Sequence, residues 1–204
     1  MRLADKLSFV RIVFAPVFVF LYMYPADQSS PVPYICLLVL LALVEFTDFL
    51  DGYFARKLKQ VSDLGKLLDP FADAFLHVSI FITFAVTLQM HFIACVLIFY
   101  REFAMLFLRM ISIKNGIAVG ARPGGKTKTV LYITSCFFTL AFNIGMCVHT
   151  PAVDAFFDNN NNLNAVQTIQ FVLFALAVLA AYISFIDYLI QFKKQSKRLN
   201  QKKA

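Results

Sequence analysis

The chain has no tryptophan among its 204 residues, and only 15% of them are charged. A soluble domain carries about 25% charged and about 45–50% apolar residues, whereas 60% are hydrophobic here and 24 are Phe. That balance excludes a soluble globular domain and points to an integral membrane protein. The four cysteines, Cys36, Cys95, Cys136 and Cys147, have neither disulfide nor metal-site spacing and lie in apolar runs, so they read as packing residues. Lys and Arg are absent from three stretches, 23–35, 86–92 and 144–167. There is no basic domain interleaved with aromatics, which counts against nucleic-acid binding. No internal repeat of useful length is present.

The apolar runs fall near 8–25, 34–55, 69–89, 92–113, 127–149 and 165–192, each about the 20 residues that span a bilayer as a helix. They predict an all-α, polytopic membrane protein with six transmembrane helices, forming one transmembrane domain over 1–204 with a basic tail at 193–204. The first run contains Arg11 and Pro16 and is not followed by a small-residue cleavage site, so it is expected to be a retained helix. All 19 Lys and Arg lie at the amino terminus, around the second-to-third and fourth-to-fifth connections, within the spans at Arg11, Arg101 and Arg109, or in the tail. The positive-inside rule then puts both termini and both basic loops in the cytoplasm, in the inner membrane. The net charge of +7 suits anionic headgroups or phosphates at that face. The tail basic residues have two readings, a lipid-binding segment or simple anchoring of the last helix. The run Asn159 to Asn162 is expected to be a solvated turn.

Against this background the acids between Asp48 and Asp73 stand out. One Asp at the centre of a spanning helix costs roughly 2.5–3.5 kcal/mol on insertion scales, yet Asp48, Asp51, Asp69 and Asp73 lie on two successive spans joined by a short basic loop. At 100° per residue Asp48, Asp51, Gly52 and Ala55 share one face, while Asp69 and Asp73 are neighbours at i and i+4. Small residues on that face admit a bulky ligand or a second helix. At 4 Å and an effective dielectric of 20, each ionised pair repels by about 4 kcal/mol, so the set demands cations or protons. Oxygen-only donors suit Mg²⁺ or Mn²⁺ better than Zn²⁺ or Cu²⁺. Two such ions are common machinery for displacement at phosphorus. A membrane cation transporter also uses intramembrane acids, but these acids gather at one membrane face and the outer halves of both spans offer no continuing path.

The segment Asp48-x2-Asp51-Gly52-x2-Ala55-Arg56-x8-Gly65-x3-Asp69-x3-Asp73 resembles the signature of the CDP-alcohol phosphatidyltransferases at all eight fixed positions. The resemblance implies two metal ions on Asp48, Asp51, Asp69 and Asp73, with Asp73 also the base. It implies that Gly52, Ala55, Arg56 and Gly65 seat the cytidine diphosphate group, and that homodimers occur. From Arg2 to about Thr150 the chain is most similar to the bacterial phosphatidylglycerophosphate synthases within that family, through Asp5-x2-Ser8-x2-Arg11-Ile12 with Pro16, Arg101-Glu102 with Arg109, and Gly125-Lys126-Thr127-Lys128-Thr129. Asp5 stands where those synthases usually have Asn, Ser8 where they have Thr, and Ala74 where they commonly have Lys.

The basic residues themselves favour an anionic acceptor. Arg101 and Arg109 are separated by about 12 Å along a helix and about 80° around it, and Lys126 and Lys128 stand at the start of the next, where the helix dipole favours an anion. Two structural alternatives stand beside this reading: an ion pair of Arg101 with Glu102 or a motif acid, and plain positive-inside anchoring by the two lysines. The expected reaction transfers the phosphatidyl group of CDP-diacylglycerol to sn-glycerol 3-phosphate, with inositol phosphate, serine or another alcohol as the alternative acceptor. The predicted phosphate site is Arg101, Arg109, Lys126 and Lys128.

Overall fold

A computed structural model describes the backbone of residues 3–25, 27, 29–58, 65–116 and 123–203, and the side chains of 8–25, 27, 29–47, 67–116, 124–198 and 201. Every described element is helical: α1 Leu3–Met23, α2 Val32–Leu58, α3 Gly65–Val86, α4 Phe92–Lys114, α5 Pro123–Cys147, α6 Pro151–Phe157 and α7 Asn160–Lys203. Each of the six expected apolar runs falls on one long helix. Among the described residues three segments are long and apolar enough to cross a membrane, Leu67–Val86, Gly124–Cys147 and Asn160–Arg198, while Ser8–Met23 and Val32–Thr47 are shorter apolar segments. At 23 residues α4 is of similar length, but Arg101, Glu102 and Arg109 interrupt its apolar run.

Three boundaries differ from expectation. Helix α3 stops at Val86 because Leu88 takes a left-handed conformation, φ 59°, and the amides of Gln89 and Met90 turn back onto the Phe84 carbonyl at 2.7 and 3.0 Å. The polar link before α7 holds a short helix, α6, whose first turn is capped by the Thr150 hydroxyl and opened by Pro151. The asparagine run is mostly helix and not a turn: Asn159 Oδ1 accepts the Asn161 amide at 3.0 Å, and α7 begins at Asn160. From there α7 runs 44 residues, through the basic tail.

Contacts between helices give their relative directions. Ser8 meets Asp69, Arg11 meets Asp73 and Phe18 meets Phe84, so α1 and α3 run side by side in the same direction. Gly124 faces Ser184 and Thr139 faces Gln170, so α5 and α7 are antiparallel. Arg101 reaches Ala181 and Ser112 reaches Tyr188, which makes α4 and α7 parallel. The first turns of α1, α3 and α5 therefore share one end of the bundle with the last turns of α4 and α7.

The core is aromatic and centred on α3. Phe81 is edge-on to Tyr132 of α5 at 5.0 Å and to Phe174 of α7 at 5.8 Å, and Phe84 meets Phe18 of α1 at 6.3 Å. Such pairs contribute about 0.5–1.5 kcal/mol each beyond the area they bury. In lipid there is no hydrophobic gain in joining helices, so close packing and polar contacts must hold the bundle. Accordingly Ala15, Ala72, Ala177 and Ala181 are fully or almost fully buried, where small side chains let backbones approach. Phe9, Val13, Phe171, Leu179 and Ile183 point outward, which suits hydrocarbon and not water. At the end away from the first turn of α3, Asn143 donates to the Tyr22 hydroxyl at 2.7 Å and Gln170 donates to Thr139 at 3.0 Å.

Candidate active site

The signature divides over two helices. Asp48, Asp51, Gly52, Ala55 and Arg56 lie in the carboxy-terminal half of α2, Gly65 opens α3, and Asp69 and Asp73 lie in its first nine residues. The side chains of Asp48, Asp51, Ala55 and Arg56, with the surroundings of Gly52 and Gly65, lie outside the described residues. Among the described residues no group of three metal-ligating side chains forms, and only two of the four motif acids belong to that set.

Those two are held from α1. The buried Ser8 hydroxyl donates to Asp69 Oδ1, and the guanidinium of Arg11, itself 4% exposed, pairs with Asp73 Oδ1. Ser8 and Arg11 are spaced i, i+3 and the acids i, i+4, so each turn of α1 serves one turn of the parallel α3. In both acids it is Oδ1 that is engaged, and the Asp73 carboxylate remains 43% exposed. A half-exposed pair of carboxylates with oxygen to spare fits a hard divalent cation.

One turn deeper, His77 is buried with Nδ1 at 3.0 Å from the Asp73 carbonyl. Among the described residues its Nε2 makes no hydrogen bond, and Glu45 Oε1 of α2 lies 3.4 Å away. Glu45 precedes Asp48 by three residues, and its side chain is only 15% exposed. It is a fifth acid beside the motif that sequence reasoning passed over, although an acid in an apolar helix was the available signal.

The predicted phosphate site divides into two kinds of residue. Glu102 Oε1 accepts from Arg101 at 2.8 Å, from Lys128 Nζ at 2.9 Å and from the Tyr132 hydroxyl at 2.9 Å. Arg101 also donates through Nε to the Ala181 carbonyl at 3.0 Å, and the Lys128 ammonium lies 4.6 Å from the centre of the Tyr132 ring. The structural alternative for Arg101, pairing with Glu102, is thus realised. Two cations on one carboxylate leave a local charge of +1. Arg109 is half-buried, lies about two turns along α4 from Arg101, and makes no hydrogen bond or ion pair among the described residues. Lys126, two residues before Lys128, is exposed. Tyr132 was not foreseen; it follows Lys128 by one helical turn. Ala74 is 5% exposed and packed inside the bundle.

The family model for CDP-alcohol phosphatidyltransferases matches residues 1–190. The chain belongs to this family. Membership makes it an enzyme of the phosphatidyltransferase class. A Treponema pallidum protein named CDP-diacylglycerol–glycerol-3-phosphate 3-phosphatidyltransferase is 38% identical over 140 residues, covering 69% of this chain and 64% of its own length. Proteins of the same name from Bacillus subtilis and Rickettsia bellii are 33% and 34% identical, covering 70% and 64% of this chain and 78% and 70% of their own. The chain thus spans a little under two thirds of the Treponema relative and more of the other two.

Proposed function

We propose that this phosphatidyltransferase moves the phosphatidyl group of CDP-diacylglycerol onto sn-glycerol 3-phosphate, releasing CMP and leaving phosphatidylglycerophosphate. The observation that carries the reading is the placement of Asp73 beside the Glu102 cluster: His77, one turn beyond Asp73, packs on Tyr132 at 5.6 Å, and Tyr132 shares Glu102 with Arg101 and Lys128. A base and a cationic anchor so arranged suit an acceptor with a hydroxyl at one end and a phosphate at the other. Choline, with its fixed positive charge, gains nothing from them. The names borne by the relatives support the same acceptor.

In this reading six helices, α1 to α5 and α7, cross the inner membrane, with both termini and the active site on the cytoplasmic side and the chain forming one domain that pairs as a homodimer. The alternating helix directions and the basic end of the bundle support it. Asp48, Asp51, Asp69 and Asp73 would hold two Mg²⁺ or Mn²⁺ ions, which supply charge neutralisation to the diphosphate and to the departing CMP.

The chain's own groups do the rest. Gly52, Ala55, Arg56 and Gly65 seat the cytidine diphosphate while the acyl tails stay in lipid. Arg101, Arg109, Lys126 and Lys128 hold the acceptor phosphate, and Glu102 fixes two of those cations in place. Asp73 takes the proton of the sn-1 hydroxyl through a carboxylate oxygen. The hydroxyl oxygen bonds to the phosphorus esterified to diacylglycerol, and the bond from that phosphorus to the oxygen bridging to CMP breaks. Positioning accounts for much of the rate, because both reactants are anions that repel in water.

The test is CMP release by purified protein given CDP-diacylglycerol, Mg²⁺ and, separately, glycerol 3-phosphate, inositol 1-phosphate, serine or choline. Release with glycerol 3-phosphate alone is expected. Release with another alcohol alone would keep the chemistry and overturn the acceptor, and ion flux without CMP release would favour a transporter.

A further inference from the structure

The contact between Arg11 and Asp73 has no part in the reaction just described. Arg11 lies on α1, outside the acid motif, and its guanidinium is buried against one oxygen of the carboxylate that is at once the proposed base and a proposed metal ligand. Its neighbour Ser8 treats Asp69 in the same way but with a neutral hydroxyl. Among the described residues the two acids are therefore held differently: Asp69 by the neutral Ser8 hydroxyl, Asp73 by the Arg11 charge.

We infer that Arg11 is a resident counter-cation that competes with a divalent ion for the charge of Asp73, so that Arg11 lowers the metal affinity of the site. The inference rests on the metal reading of the four acids. Carboxylates crowded at one end of a low-dielectric bundle repel one another when no ion is bound, and the Arg11 charge relieves that repulsion in the metal-free protein. The same contact then opposes the ion, because a carboxylate whose charge is already met by a buried guanidinium, with one oxygen taken up in that contact, attracts a metal less strongly. A buried charged hydrogen bond of this kind is strong enough to weaken metal binding about tenfold, equivalent to about 1.4 kcal/mol. Arg11 acts through Asp73 and is a positioning residue. Ser8 carries no charge, so its loss leaves the competition intact.

The test is Mn²⁺ binding to the full-length protein in detergent, without substrate, read from the free-ion signal in electron paramagnetic resonance. Arg11→Gln is expected to bind Mn²⁺ about tenfold more tightly than the unaltered protein. Arg11→Met, which keeps the apolar stem, serves the same comparison should the Gln variant lose its helical circular dichroism. Arg11→Lys should restore the weaker binding, Ser8→Ala should stay near the unaltered value, and Arg11→Gln should have a smaller effect in an Asp73→Asn background. Equal or weaker binding by the neutral variants would overturn the inference while leaving the metal site standing. Absence of Mn²⁺ binding from the unaltered protein and from every variant would overturn the metal reading, and the inference with it.

Discussion

Glu102 of α4 accepts the Lys128 ammonium of α5 at 2.9 Å through the same oxygen that takes the Arg101 guanidinium at 2.8 Å. One buried carboxylate thus holds two cations from two helices, and removing it strands both. Glu102→Gln is expected to destabilise the bundle by about 3–5 kcal/mol. A thermal or denaturant series in detergent measures this; a midpoint equal to the unaltered protein's would show that the cluster is solvated and not structural.

The two lysines at the start of α5 should respond differently. Lys126 is exposed and Lys128 is tied to Glu102 and Tyr132. Lys126→Ala is expected to raise the KM for glycerol 3-phosphate about tenfold, in keeping with a charged hydrogen bond, with stability unchanged within about 0.5 kcal/mol. Lys128→Ala should raise KM and also cost about 1–3 kcal/mol of stability. Steady-state kinetics and melting curves on both variants separate the roles. An unchanged KM in both would reduce the pair to membrane anchoring.

The contrast between these lysines shows where the sequence stops being legible. Their position before an apolar run was readable. That Lys128 turns inward to Glu102 was not, because the partner lies 26 residues away on another helix. Neighbours at i and i+1 on a helix do not face each other, so the spacing of Arg101 and Glu102 gave no reason to favour their contact over a phosphate. The six long helices were readable because lipid demands long apolar runs. The reach of α7 through 193–203 was hidden because Lys, Arg and Gln lower hydropathy while remaining good helix formers. Ser8 and Arg11 were visible as a pattern without a purpose, and only the parallel packing of α1 on α3 turned them toward Asp69 and Asp73.

Asp73 is asked to be both a base and a metal ligand, and replacing it should be correspondingly costly. Asp73→Asn keeps the shape of the side chain and loses its charge. Turnover is expected to fall by at least about a hundredfold with helical content retained, as read by CMP release and circular dichroism. Normal turnover would remove the residue from both roles.

Chelation addresses the donor set as a whole. Exhaustive dialysis against EDTA is expected to abolish CMP release, and Mg²⁺ or Mn²⁺ to restore it, while Zn²⁺ restores little because the motif offers oxygen ligands only. Full activity in the chelated protein would contradict a metal-dependent site.

The central claim is that the acceptor's own hydroxyl oxygen bonds to the lipid phosphorus. Glycerol 3-phosphate carrying ¹⁸O at the sn-1 hydroxyl, incubated with CDP-diacylglycerol, Mg²⁺ and purified protein, tests it by mass spectrometry of both products. The account predicts phosphatidylglycerophosphate that retains the label in full, formed in equal amount with unlabelled CMP. Label in the CMP, or CMP formed without labelled lipid, would contradict it.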